Sequence, residues 1–183
     1  MSQEIDLEGI DQKKLRPKID EIRALIKKHP VVKEMFEEHG VDLDEIDLIP
    51  MCFAKLPVSA RTEHGIIYFN TKLVEDGFDN DDHYMVHEIT HFLQQTTGDK
   101  PTKGSTKENY LDNPAEIEGF QNQTEYLADT RGKEKAEDYV EQVLDHHEVD
   151  GKTRKKKEEE LTLNVESMDQ RVMQLTRMLM GAE

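Results

Sequence analysis

Residues 87 to 91 read His-Glu-Ile-Thr-His, and two histidines four apart constrain the local fold tightly. In a strand the two rings would stand about 13 Å apart; on a helix they sit one above the other on a single face. The flanking residues favour the helix. At about 100° per residue, Met85, Val86, Ile89 and Leu93 gather on one side, while His83, His87, His91 and Gln94 form a stripe on the other. Asp79, Asn80, Asp81 and Asp82 supply capping and acidic first-turn residues before it, and Gly98 supplies a stop. Any fold this chain adopts must pack the apolar side and leave the imidazoles room to meet.

A helix of that kind points His87 and His91 at a single Zn²⁺ and places Glu88 where it can take a proton from water. Together these are the parts of metal-assisted peptide hydrolysis. Two imidazoles leave a zinc site incomplete, so a third protein ligand must come from elsewhere. The residues after His91 are Phe92, Leu93, Gln94, Gln95, Thr96 and Thr97, which rules out the class with a third His on an extended motif. A carboxylate on a following helix remains, and Glu116 and Glu118 are the candidates. That helix has Asn113 as its cap and Pro114 at its first position, and Gly132 stops it. Its buried face is set by Ile117, Phe120, Thr124, Leu127 and Ala128. Glu116 falls about 70° from the centre of that face and Glu118 about 130° away, so Glu116 is the better placed to reach inward. A capping box with Asn113 is the other reading of Glu116.

Composition limits the partners. Of 183 residues, 35% are apolar and 35% charged, so the core is small for the length. The formal net charge of −16 argues against a nucleic-acid partner, because affinity for phosphate backbones rests on clustered Lys and Arg. The one basic run, Lys152 to Lys157, is followed at once by Glu158, Glu159 and Glu160, the pattern of a solvated helix with i,i+4 ion pairs. A single cysteine, Cys52, excludes a disulfide framework and sits in an apolar run as a buried, inert thiol. The start of the chain is acidic without an apolar signal region, and no apolar stretch approaches a membrane span. A cytoplasmic protein with no membrane partner is expected.

Elsewhere the pattern is mostly helical. Leu15, Ile19, Ile22, Leu25 and Ile26 recur at helical spacing over 11–29, and a second helical piece runs over 32–39 to Gly40. Residues 46–56 are β-prone but broken by Pro50; 61–65 read as a turn; 66–70, Ile-Ile-Tyr-Phe-Asn, is the best strand. Residues 99–109 read as a polar loop and 133–147 as a helix. A last helix takes its apolar face from Leu163, Val165, Met168, Val172, Leu175 and Met178 to Met180. The expected fold is α+β, predominantly helical, with a small mixed sheet. Its parts are N-terminal helices over 1–45, a core over 46–147, and a charged linker with a C-terminal helix over 148–183. The terminal helices offer surfaces for a protein partner.

The string His87-Glu88-Ile89-Thr90-His91-Phe92-Leu93-Gln94, followed by Pro114-x-Glu116-x-Glu118, resembles the gluzincin metallopeptidases. Among these it is most similar to compact single-domain versions such as the small zinc peptidases of bacteria and their phages. The resemblance spans roughly residues 65 to 131. It implies a zincin-like core with an edge strand, 66–69, beside the motif helix, and a peptide or protein substrate in a bacterial or phage-infected cell. It also implies His87, His91 and Glu116 as zinc ligands and Glu88 as general base. Many gluzincins carry an Asp four residues after the ligand Glu to orient a ligand His. Here that position is Phe120, which leaves His83 or Asn113 as candidates for the support. Tyr110, His146 and His147 are the available oxyanion donors. The competing expectation is a zinc-stabilised structural or interaction module with a vestigial peptidase site.

Overall fold

In the computed structural model, residues 5–75, 78–98, 110–165, 176–177 and 179–180 are described. The fold is α+β and predominantly helical, with one small mixed sheet. The chain forms two compact units, Met1–Lys103 and Gly104–Glu183.

The first unit opens with helices α1 (Gln12–Lys27) and α2 (Pro30–Glu38). Asp11 caps α1 by accepting the Lys14 N–H at 3.2 Å. Lys28 closes α1 and His29 starts the next helix: its Nδ1 accepts the Val31 N–H at 3.2 Å, and Pro30 follows as the first residue of α2. Ile19, Ile22 and Ile26 bury one side of α1, and Val31, Val32, Met35 and Phe36 bury one side of α2. Arg23 also lies on the buried side, 8% exposed, and donates through Nη1 to the carbonyls of Ile46 and Ile49 at 2.8 and 2.7 Å. This ties α1 to the 3-10 helix Leu43–Leu48. Burial pushes the guanidinium below its usual value, and Asp20 and Asp47 offset part of that shift.

Strands β1 (Met51–Ala54), β2 (Ala60–Glu63) and β3 (Ile66–Asn70) form the sheet in the order β1-β3-β2, with β1 parallel and β2 antiparallel to β3. Two expectations are corrected. The segment 66–70 is the central strand, not an edge, and most of 61–65 is strand rather than turn. Only His64 and Gly65 turn, with φ of 53° and 76°, as a two-residue hairpin with both central residues left-handed requires.

The sheet's edges are treated differently. On β1 the Gln12 side chain pairs with Phe53 like a strand, donating to its carbonyl at 2.7 Å and accepting its N–H at 3.0 Å. The Lys55 N–H beyond donates to the Asp6 carbonyl at 2.9 Å. That edge is closed. On the other side, Ile67 turns its N–H toward β1, to the Pro50 carbonyl, so its partner Thr62 turns its own backbone outward from β2.

Phe53, Phe69 and Phe78 pack tilted and edge-on at 5.2–6.0 Å between centroids. Phe78 holds a φ of 62° and is fully buried; its side chain fixes an unfavourable backbone just ahead of the motif helix. A short helix α3 (Lys72–Glu75) precedes it, and α4 (His83–Thr97) ends at Gly98 with φ of 70°. Cys52 on β1 is half-buried, and burial pushes its thiol up.

The second unit holds α5 (Pro114–Arg131), α6 (Lys133–His146) and α7 (Gly151–Leu161), preceded by the 3-10 turn Tyr110–Asp112. Leu111, Phe120, Val140, Leu144 and Leu161 form its core, and a smaller cluster joins Leu127, Ala136 and Val165. The charged run is helical, with Arg154 and Glu158 paired i,i+4 at 3.4 Å. The loop over 99–109 lies outside the described residues, as do Met168, Val172, Leu175 and Met178 of the expected last helix.

No helix among the described residues is long and apolar enough to cross a membrane. Arg23→Ala removes two charge-assisted bonds to buried carbonyls, and urea denaturation is expected to show a loss of about 3 kcal/mol. A change within 0.5 kcal/mol would mean those carbonyls find other donors. Cys52, with less thiolate at pH 8 than an ordinary thiol, should react with Ellman's reagent at least several-fold more slowly than glutathione does. Equal rates would count against the raised pKa.

Candidate metal centre

Helix α4 is buried along most of its length, including polar residues that normally stay in water. His83, His87, Glu88, Thr90, His91 and Gln94 are all below a tenth exposed. Met85, Val86, Ile89 and Leu93 face the core, which accounts for one side of the helix. The opposite stripe has to satisfy its polar atoms locally, because a buried group without a hydrogen-bond partner costs about 1–3 kcal/mol.

Nε2 of His87 and Nε2 of His91 lie 3.1 Å apart, with the rings inclined at 78°. Two nitrogens bound to one tetrahedral Zn²⁺ at about 2.0–2.1 Å would be about 3.3 Å apart, so the observed spacing already fits a shared ion. His91 Nδ1 sits 2.8 Å from Gln94 Oε1. An amide oxygen can only accept, so this bond puts the proton on Nδ1 and leaves the Nε2 lone pair for a metal. Gln94 is fully buried and is the observed partner of the His91 ring; the sequence had left His83 or Asn113 as candidates for such support. The signal was its place on the histidine stripe, three residues after His91.

Glu88 completes the cluster. One ligand atom each from His87, Glu88 and His91 lie within 4.8 Å of one another, all three residues buried. The Thr62 hydroxyl on β2 lies 2.7 Å from Glu88 Oε2 and 3.1 Å from the Glu88 carbonyl oxygen. Gln95 Nε2 donates to the Thr62 carbonyl at 3.2 Å. Thus α4 runs beside β2 and is fastened to it at Thr62. Sequence reading gave Thr62 no role, because a polar residue in a turn-like stretch 26 positions before Glu88 carries no local signature.

Of the other named residues, all but His83 belong to the second unit. Glu116 lies in the first turn of α5 and is 5% exposed, while Glu118 is only partly buried. Asn113 caps α5, its Oδ1 accepting the Ala115 N–H at 2.9 Å. Phe120 is part of that unit's apolar core and lies edge-on to Tyr110 at 6.1 Å. Tyr110 stacks on His147 at 5.0 Å, and His146 meets His147 edge-on at 5.1 Å. Within the first unit, His83 lies tilted against Tyr84 at 4.4 Å.

No protein family, curated protein or solved structure matches the chain.

Replacing Gln94 with Leu should lower zinc affinity about ten- to a hundredfold in competition with a chromophoric chelator, with helix content unchanged. Gln94→Glu, which keeps an acceptor for Nδ1, should retain most of it. Equal affinity in Gln94→Leu and wild type would remove Gln94 from the metal centre.

Proposed function

We propose that the protein is a zinc-dependent metallopeptidase of the gluzincin type. The observation that carries this reading is the buried pair of Nε2 atoms 3.1 Å apart with the Glu88 carboxylate beside them. His87 and His91 hold the metal through Nε2. Glu116 is the third ligand on the resemblance to gluzincins. Bound there, zinc supplies a Lewis acid that polarises a carbonyl and brings the acidity of water toward neutrality.

The protein's own groups do the rest. Glu88 takes a proton from the attacking water on a carboxylate oxygen and passes it to the leaving amine nitrogen. Gln94 holds the His91 ring in the tautomer that keeps Nε2 unprotonated. Burial of the cluster lowers the local dielectric and strengthens each of these interactions. On the outward side of β2 the Thr62 N–H offers an extended peptide a group to pair with, its carbonyl being taken by Gln95. A reducing cytoplasm suits a chain whose one thiol is half-buried and stays protonated.

Purified protein should carry about one zinc per chain by mass spectrometric metal analysis. His87→Ala/His91→Ala should lose it and Glu116→Ala should bind it more weakly. Glu88→Gln should keep the metal and lose the cleavage that wild type shows on a peptide library. Zinc bound by a wild type that cleaves nothing would favour the structural module, and full zinc retention in the double histidine variant would sink the site altogether.

A further inference from the structure

We propose that Thr62 is the positioning residue for Glu88, fixing the orientation of its carboxylate from the sheet edge. The consequence for catalysis rests on the peptidase reading; the geometric claim does not. A glutamate has three side-chain torsions, and at 6% exposure the carboxylate has little water to solvate it. Its oxygens therefore go where a donor holds them. The Thr62 hydroxyl carries a single hydrogen and faces two acceptors, Glu88 Oε2 at 2.7 Å and the Glu88 carbonyl at 3.1 Å. The contact to Oε2 is the shorter of the two, so the hydroxyl hydrogen goes to the side chain. With Oε2 engaged, Oε1 is the oxygen left for proton transfer.

The anchor is itself held. Thr62 stands opposite Ile67 in the β2–β3 pairing, and Gln95 grips its carbonyl at 3.2 Å from the next turn of α4 after His91. A hydroxyl on a strand fastened from both sides returns to the same place more reliably than one on a loop. A bland alternative is that Thr62 merely pins strand to helix through the Glu88 carbonyl. That role needs no bond to the side chain, and the shorter contact is to the side chain.

The test uses the full zinc-loaded chain with fluorescein-labelled casein as substrate, and crystal structures of each variant. Thr62→Val, which keeps the shape and loses the donor, should lower kcat at least tenfold with KM within twofold and zinc content unchanged. Thr62→Ser should restore kcat to within threefold, and Thr62→Ala repeats the comparison should the valine variant not fold. Crystals should show the Glu88 carboxylate displaced in Thr62→Val and back in place in Thr62→Ser. Wild-type kcat in Thr62→Val, or a loss that serine does not restore, overturns the proposal. If wild type leaves casein intact, the peptidase reading fails on its own. The crystals then decide the positioning claim: a Glu88 carboxylate that does not move without the hydroxyl overturns it.

Discussion

Everything near α4 answers to the burial of two imidazoles and a carboxylate on one helical stripe. Polar groups in such surroundings stay only if each finds a partner, and partners must be supplied in fixed directions. Gln94 supplies one from the same helix, one turn on from His91. Thr62 supplies another from outside the helix, which is why a strand has to run beside α4 at all. The sheet then needs its own support. The Phe53, Phe69 and Phe78 cluster holds the strands and the entry to α4, and Arg23 ties α1 to the chain just before β1. Packing in the first unit thus serves the placement of a few polar atoms.

Much of this was legible in the sequence, and the parts that were not share a cause. Helices with a clear apolar repeat and strong ends read well: α5 between Asn113 and Gly132, α4 up to Gly98, α1 from Asp11. Their signals lie within a few residues. Strand β2 was hidden because Arg61, Thr62 and Glu63 are polar, and a half-exposed edge strand needs no apolar run to be stable. Its marker was His64-Gly65, a histidine standing where asparagine is commoner. Once β2 exists, Ile66–Asn70 becomes central, and its buried Ile67 and Phe69 are what a middle strand requires. The partner of Glu88 was out of reach for another reason. Hydrogen bonds between residues 26 apart depend on the fold and leave no periodicity to detect.

Phe120 shows how one helix can serve two demands. Four residues after Glu116, the expected carboxylate would have pointed into the core that Leu111, Val140, Leu144 and Leu161 fill in the second unit. An unpaired Asp there would be costly, and phenylalanine packs. The partner that the His91 ring does have is Gln94, on its own helix. The helix keeps a second buried stripe, Ala115, Glu116, Gly119, Gln123 and Tyr126, apart from that apolar core.

The unequal edges of the sheet have a consequence for symmetry. Among the described strands, with β1 closed by the Gln12 amide and Asp6, strand-to-strand association has one edge to use, that of β2 beyond the Thr62 carbonyl held by Gln95. Two copies joined through the same edge would be related by a twofold axis, and the joint would consume both available edges at once. No edge would remain to recruit a third copy. The described sheet can close on itself as a pair, but it offers no further edge along which such pairs could stack.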